Sequence, residues 1–220
     1  MPFDRVITDD LPADVRLIPG RRFADSRGWF MELHRRQPTD IAANDRADAG
    51  LPDFCQDNVS LTSLPAVVRG LHFQRPPYAQ AKLVTVLAGA ILDIVVDLRP
   101  QSPDFGRAAT IHLSASSGQH LFVPVGFAHG FCSLQPETLV HYKVSAPYAP
   151  KSEGGIAWDD PDLAIQWPFT AAEVLVSEKD AMLPRLRDLA PIDWMRPAGS
   201  RPSARHPRPA TSLPGNRLHG

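Results

Sequence analysis

The chain has 220 residues, of which 43% are hydrophobic and 21% are charged, and its formal net charge at pH 7 is −1. This balance is ordinary for a globular protein and excludes a chain too polar to bury a core. A net charge so close to zero gives no reason to expect a nucleic-acid or membrane partner. The sequence also has no apolar run near the roughly 20 residues that span a bilayer.

Cysteine usage indicates a reducing compartment. Cys55 and Cys132 are far apart and do not have the spacing of zinc ligands. The opening stretch "MPFDRVITDD" does not resemble a signal peptide. We therefore expect two reduced thiols in a cytoplasmic protein.

The first third of the chain predicts short strands. The segment "VRLIP" reads as a strand, and "DSRG" is a turn signal followed by the strand-like "WFMEL". The segment "LPDFCQDNVSLTSLPAVVRGLHFQ" then carries short alternating runs interrupted by proline.

The strongest β signal is "AKLVTVLAGAILDIVVDLR", residues 81–99. It contains two runs rich in β-branched residues, with "AGA" between them, and this pattern predicts a short hairpin. Three more strands follow, separated by "SASSG" and "PVG", and "ETLVHYKVSAPYAP" contributes another. Strands of this length, recurring with turn signals, predict an all-β sandwich or barrel.

Helical patterns are weak until "PDLAIQWPFTAAEVLVSEKDAMLPRLRDL", where short helices are expected. The last 25 residues, 196–220, carry repeated Arg and Pro and no acidic residue. Such a segment buries too little apolar surface to offset its chain entropy. The sequence therefore predicts one domain over residues 1–195 and a disordered tail over 196–220. A solvated extension is favoured over a nucleic-acid arm.

Polar residues within the strand-like "RGLHFQ", residues 69–74, need an explanation, because burial of a polar group is costly. Alternation places Arg69 on one face of the strand and His72 on the other. A lone histidine in a strand is more often structural than catalytic. Lys82, His129 and Tyr142 also stand within apolar strands, however, so several polar groups could project into one lumen.

A metal site is not expected. Many double-stranded β-helix proteins bind a metal through an HxH pair, a following Glu and a later His. Here His72 is followed by Phe73 and Gln74, and no Glu occurs between residues 72 and 92. The remaining histidines share no ligand spacing.

A histidine base, a lysine cation and a tyrosine acid suit proton abstraction next to a carbonyl group. The sequence carries neither a GxSxG nucleophile motif nor a phosphate-binding glycine-rich loop.

The ordered motifs resemble the dTDP-4-dehydrorhamnose 3,5-epimerase family over roughly residues 14–190. They are "DSRGWFMEL", "QDNVS", "RGLHFQ", "AKLVTVLAGAILDIVVDLR", "LFVPVGFAHGFCSL", "YKVSAPYAP…EGGIAWDDPDLAIQWP" and "LVSEKDA". The resemblance implies a cupin-type jelly roll, or double-stranded β-helix, with a few short helices toward the C-terminus. It also implies a homodimer, no metal, no cofactor and a dTDP-linked 4-keto-6-deoxy sugar as substrate.

The resemblance also implies roles for individual residues. His72 resembles the general base, Asp180 its carboxylate partner, Tyr142 the acid on the opposite face, and Lys82 the lysine near the C4 carbonyl. His129 resembles a second active-site histidine, and Arg69 resembles an arginine that faces the diphosphate. The implied substrate-binding set also contains Arg27, Phe30, Glu32, Gln56, Asn58 and Tyr148. In the family, part of the nucleotide-binding set comes from the neighbouring subunit.

Alternatives remain open from the sequence. Asp180 could instead cap a helix, and Tyr142 or Phe30 could be core residues. Related enzymes epimerise C3 alone or C5 alone, so the number of inverted carbons is not settled by these motifs. A non-catalytic sugar-nucleotide binder is disfavoured by the intact base, cation and acid. A metal-dependent cupin oxygenase is disfavoured by the missing ligands.

Overall fold

The computed structural model describes residues 11–35 and 50–195. The predicted tail, 196–220, therefore lies outside the described residues. Within the described ranges the chain forms twelve short strands. In chain order they are β1 Arg16–Ile18, β2 Arg22–Asp25, β3 Gly28–Met31, β4 Gln56–Thr62, β5 Val68–Gln74, β6 Lys82–Ala88, β7 Ala90–Asp97, β8 Ala108–Ser114, β9 His120–Val123, β10 Phe127–Ser133, β11 Thr138–Val144 and β12 Glu153–Gly155.

The strands form two antiparallel sheets and one hairpin in the part of the chain that the structure describes. The first sheet has the order β1-β9-β6-β11-β4, and the second has the order β12-β5-β10-β7-β8. Strands β2 and β3 form the separate hairpin. Successive strands largely alternate between the two sheets, as in a jelly roll. The predicted all-β, cupin-type fold is confirmed.

The predicted hairpin over residues 81–99 is wrong. Strand β6 pairs with β9 and β11 of the first sheet, whereas β7 pairs with β8 and β10 of the second. Gly89, with φ of +74°, lies where the chain passes from one sheet to the other. A short turn can join neighbours within a sheet or strands in facing sheets, and the strand pattern is the same in both cases.

The main core lies between the two sheets. Inward-facing side chains of β6, β9 and β11 meet those of β7, β8 and β10 in one buried apolar cluster. On β7 this inner face carries Ile91, Asp93 and Val95, three positions that alternate along the strand. An acidic residue thus points into the space between the sheets.

The C-terminal part covers the outer face of the second sheet. Short 3₁₀ helices at Pro161–Leu163 and Leu186–Asp188 flank a single-turn helix, α1, at Glu178–Ala181. These elements confirm the expected short helices. Ile156, Leu163, Trp167 and Trp194 pack with the outward side chains of the sheet.

Two further findings bear on the sequence predictions. Neither Cys55 nor Cys132 is in a disulfide; Cys55 is exposed and Cys132 is buried. Within residues 11–35 and 50–195, the structure contains no helix long and apolar enough to cross a membrane.

Candidate active site

A cavity of about 610 Å³ opens between the two sheets. Strands β5 and β10 supply one wall, and β4, β6 and β11 supply the other. Residues 175–180 close the cavity, where Leu175 hydrogen-bonds the backbone at the start of β5. The polar side chains that line the cavity are Ser60, Arg69, His72, Lys82, His129, Tyr142, Ser177, Lys179 and Asp180.

A bulge in β5 brings Arg69 and His72 to the same cavity. His72 pairs with His129 of β10 and Arg69 pairs with Phe131, so two residues of β5, Gly70 and Leu71, oppose one residue of β10. Gly70 has φ of +120°, and a Cβ there would lie 2.8 Å from the Cα of Gly130. The bulge reverses the alternation that the sequence predicts for a regular strand, and both side chains line the cavity.

His72 forms a close pair with a buried carboxylate. Its Nε2 lies 2.7 Å from Oδ1 of Asp180, and the other oxygen, Oδ2, accepts a hydrogen bond of 3.0 Å from the backbone N–H of Gly70. Asp180 is 5% exposed. Ser177, rather than Asp180, caps α1, because its hydroxyl accepts a bond from the Asp180 N–H. The carboxylate is therefore held by two bonds to the strand that carries the histidine.

A second histidine–aspartate pair lies deeper in the cavity. Nε2 of His129 is 3.1 Å from Oδ2 of Asp93, which is fully buried on β7. Nδ1 of His129 is 3.4 Å from Nζ of Lys82. These partners assign the ring hydrogen to Nε2, so that Nδ1 accepts from the ammonium group.

Burial controls the charges of these deeper groups. Burial lowers the pKa of Lys82 to about 8, although the negative charges of Asp93 and Glu153 act in the opposite direction. Burial also lowers the pKa of His129, and the nearby Lys82 ammonium reinforces that direction against the attraction of Asp93. His129 is therefore neutral at pH 7, and the cation of the pair resides on Lys82.

Tyr142 and Arg69 complete the lining. Burial raises the pKa of the Tyr142 phenol, against a smaller opposite effect of Arg69. The phenol is thus protonated at neutral pH and lies on the first sheet, whereas His72 lies on the second. The Arg69 guanidinium donates from Nε to the Thr62 hydroxyl at 3.2 Å.

Three of the remaining predicted residues lie near the β4 end of the site. Gln56 donates to the Asn58 side chain at 2.8 Å and accepts from the Tyr148 backbone N–H at 3.1 Å. Asn58 is the strand neighbour of Tyr142. The Tyr148 hydroxyl donates to Glu153, which also pairs with Lys179 at 2.6 Å.

The structure does not bring Arg27, Phe30 and Glu32 into the cavity. Arg27 lies in the turn of the β2–β3 hairpin, where it pairs with Asp25 and is largely exposed. Phe30 is 67% exposed. Phe30 and Glu32 line a different groove of about 570 Å³, against the outer face of the first sheet.

Sequence reasoning missed Asp93, Ser60, Lys179 and Glu153. Asp93 had a usable signal, since a carboxylate stands between two apolar inner-face positions in "ILDIV". Ser60 lines the cavity from β4, and Lys179 precedes Asp180 at its rim. In the sequence, Ser60, Lys179 and Glu153 look like ordinary strand and helix residues, because their roles depend on contacts between distant elements.

This arrangement can move protons at a carbon next to a carbonyl group. A histidine supported by a carboxylate can accept a proton on one wall, and a neutral phenol can donate one from the other. The Lys82 ammonium can stabilise an enolate oxygen between them. Among the described residues, no three His, Cys, Asp or Glu side chains are grouped as a metal site.

The chain is similar to known proteins in both sequence and fold. The family model described as dTDP-4-dehydrorhamnose 3,5-epimerase matches residues 12–188. A protein of that name from Sinorhizobium fredii is 45% identical over 177 residues, which cover 80% of this chain and 87% of the relative.

Solved structures are also similar. A dTDP-4-dehydrorhamnose 3,5-epimerase from Bacillus anthracis, with TDP and PPi bound, is 42% identical, with a TM-score of 0.73 over 82% of this chain and 98% of that one. A dTDP-6-deoxy-D-glucose-3,5-epimerase from Legionella pneumophila, in complex with dTDP-4-keto-L-rhamnose, is 35% identical, with a TM-score of 0.71 over 85% of this chain and 94% of that one. The chain belongs to the dTDP-4-dehydrorhamnose 3,5-epimerase family.

Proposed function

We propose that this protein epimerises C3 and C5 of dTDP-4-dehydro-6-deoxy-D-glucose to form dTDP-4-dehydro-L-rhamnose, a step of dTDP-L-rhamnose biosynthesis. The observation that carries this proposal is the His72–Asp180 pair, 2.7 Å apart, on the wall opposite Tyr142 in a cavity that also contains Lys82. The relatives that share the fold bear the name of that activity.

In the proposed mechanism, His72 removes a proton from the carbon next to the C4 keto group. The electron pair of that C–H bond moves to form an enolate, and the Asp180 carboxylate stabilises the resulting imidazolium. Tyr142 then donates its phenolic proton to the opposite face of the same carbon, and the C4 carbonyl re-forms. His72 has gained one proton and Tyr142 has lost one, so exchange with solvent restores both groups. The same cycle acts at C3 and at C5.

Lys82 supplies the cation for the enolate oxygen. A buried ammonium costs little reorganisation when charge develops beside it. His129 and Asp93 hold the ammonium: Nδ1 of His129 lies 3.4 Å from Nζ of Lys82, and Nε2 of His129 lies 3.1 Å from Oδ2 of Asp93. In this proposal His129 orients Lys82 and does not itself exchange a proton with substrate.

Arg69 and the β4 end of the site are proposed to bind the nucleotide. A guanidinium suits a diphosphate because its fork of N–H groups can contact two oxygens. Arg69 bonds the Thr62 end of β4, and Gln56, Asn58 and Tyr148 lie toward its other end, where they can hold the rest of the dTDP group. We propose that the exposed Phe30, together with Arg27 and Glu32, helps to bind the nucleotide in the cavity of a second subunit.

This assignment implies a homodimer. Exposed apolar side chains support it: Phe23, Trp29 and Phe30 on the hairpin, and Val59 and Leu61 on the edge strand β4. Exposed apolar patches are typical of interaction surfaces, and Val59 and Leu61 share the exposed face of β4. Light scattering that gives the mass of a monomer at micromolar concentration would contradict the dimer.

The domain bounds and the cellular compartment of the protein are inferred from its sequence. We propose a single domain over residues 1–195 and a cytoplasmic protein without nucleic-acid or membrane partners. Two free cysteines are typical of a reducing compartment.

Proton NMR of the reaction in D₂O tests the function. The enzyme should place deuterium at both C3 and C5 of the 4-keto sugar and convert it to the L-rhamno product, with the His72→Ala variant as control. Deuterium at one carbon alone would replace the proposal with a single-site epimerase. Binding without exchange would indicate a non-catalytic binder. Pretreatment with EDTA should leave the rate unchanged.

A further inference from the structure

A C-terminal segment lies behind the strand that carries His72. The family model ends at residue 188, and the chain then continues through Leu189, Ile192 and Trp194 across the outer face of the second sheet. These three side chains pack with the buried cluster that contains Leu71 and Phe73, the two neighbours of His72 in β5. The segment therefore extends the core beyond the part matched by the family model.

Trp194 contacts both β5 and the residue that follows β7. Its indole N–H donates to the backbone carbonyl of Leu98, just after β7, at 2.9 Å. Its ring packs edge-on against Phe73, with centroids 5.7 Å apart and planes at 75°. Phe73 is 4% exposed, and the indole forms part of its buried surroundings.

Packing on the outer face of β5 matters because the strand is bulged next to His72. The bulge at Gly70 and Leu71 breaks the regular register with β10 immediately before His72. A bulged strand loses ladder hydrogen bonds locally, and its direction then depends more on packing. Phe73 and the indole provide such packing on the face away from the cavity.

The chain between Asp180 and that segment is also held in place. After α1, the N–H of Leu183 bonds to the Asp180 carbonyl, and the N–H of Ala157 bonds to the Pro184 carbonyl at 2.8 Å. Farther along, the N–H of Leu186 bonds to the Asp160 carboxylate at 2.7 Å. The chain that leaves Asp180 is thus bonded twice to the loop that follows β12 before it reaches Trp194.

We propose that Trp194 is a positioning residue for the His72–Asp180 pair. It acts through Phe73, fixing the direction of β5 so that the imidazole stays aligned with the carboxylate and with the substrate carbon. Displacements of about 1 Å at a reacting group can cost ~10²-fold in rate, so a smaller drift of β5 is measurable. The inference rests on the proposed role of His72 as base.

Two tryptophans of the same cluster allow a matched experiment. Trp167 also packs on this outer face, donates from its indole to a backbone carbonyl, that of Trp158, at 3.1 Å, and packs edge-on against the Trp158 ring. Trp194→Ala and Trp167→Ala remove equal volumes from one cluster. Both should lower the melting temperature, because both leave a cavity.

The kinetic outcomes should differ. At a temperature where both variants are folded, Trp194→Ala should lower kcat about tenfold with KM unchanged, because a small drift of the base removes part of the alignment. Trp167→Ala should keep the wild-type kcat, and Trp194→Phe should recover most of the loss. Equal losses of kcat in the two Ala variants, or a wild-type kcat in Trp194→Ala, would overturn the proposal. If Trp194→Ala does not fold, Trp194→Leu takes its place, and its kcat should likewise fall while that of Trp167→Ala stays at the wild-type value.

A second readout separates this inference from the proposed mechanism. The ¹⁵N and ¹H signals of the His72 imidazole, assigned with His72→Gln, report its hydrogen bond to Asp180 whether or not His72 is the base. They should shift in Trp194→Ala and stay unchanged in Trp167→Ala. Unchanged signals in both variants would contradict positioning by Trp194, whereas an active His72→Ala variant would contradict only the mechanism.

Discussion

At the scale of single residues, the chemistry depends first on His72. The buried Asp180 carboxylate accepts from the ring at 2.7 Å and is itself fixed by the Gly70 N–H. A general base contributes about 10²- to 10⁴-fold, so His72→Ala should lower the rate by at least ~10²-fold with folding retained. Steady-state kinetics and circular dichroism would check this, with His112→Ala on β8 as control. Full activity of His72→Ala would contradict the mechanism.

Loss of the Tyr142 hydroxyl should impair inversion of the sugar carbon more than exchange of its proton with solvent. A single base removes and returns a proton on one face, which exchanges label without inverting the carbon. Burial raises the pKa of Tyr142, so the phenol holds its proton until the enolate collapses. Tyr142→Phe should still bind substrate and exchange deuterium at C3 or C5, while epimerised product falls sharply. NMR in D₂O measures both quantities. Epimerisation at the wild-type rate would identify another donor, with Tyr148 or a water as the next candidates.

Lys82 should set an alkaline limit to activity. Its pKa is lowered to about 8, so the cation is present below that pH and is lost as pH rises through it. Because the enolate needs the cation, kcat/KM should fall above about pH 8. In Lys82→Arg the guanidinium stays protonated, and the falling limb should move to higher pH even if the rate is lower. A limb at the same pH in Lys82→Arg would assign that titration to a different group.

At the scale of elements, the β5 bulge requires glycine at position 70. A Cβ there would meet backbone atoms of Gly130 and His129 at 2.8 and 2.9 Å, in addition to the strain of φ at +120°. Gly28 has a similar φ, +135°, with open space around the added Cβ, so Gly28→Ala isolates the strain. Such strain costs about 1–3 kcal/mol, and Gly70→Ala should lose more than Gly28→Ala. Urea unfolding compares the two, and equal losses would mean that the bulge tolerates a side chain.

At the scale of the whole molecule, we expect the part of the chain needed for folding and activity to end shortly after Trp194. Residues after about Arg196 carry Arg and Pro without acidic partners, so their removal should leave the melting temperature and turnover nearly unchanged. Calorimetry and kinetics on the truncated chain test this. A large loss of either quantity would mean that the tail docks on the body or at the active site.

Much of the fold and site could be predicted from the chain itself. Short strands, their turn signals and the late short helices follow from local patterns, because alternation and turn chemistry act over a few residues. The ordered motifs also identified six residues that the structure brings into one cavity: Arg69, His72, Lys82, His129, Tyr142 and Asp180. The resemblance, rather than their residue types, selected them.

Tertiary structure alone decided which elements meet. Strands β6 and β7 looked like a hairpin, yet they belong to facing sheets, since periodicity reports which face is buried and not which strand is the partner. Asp93 became the partner of His129 only through the pairing of β7 with β10. Arg27 and Phe30 lie on a separate hairpin, away from the cavity. Each of these outcomes depends on contacts between residues distant in the chain, on which local patterns carry no information.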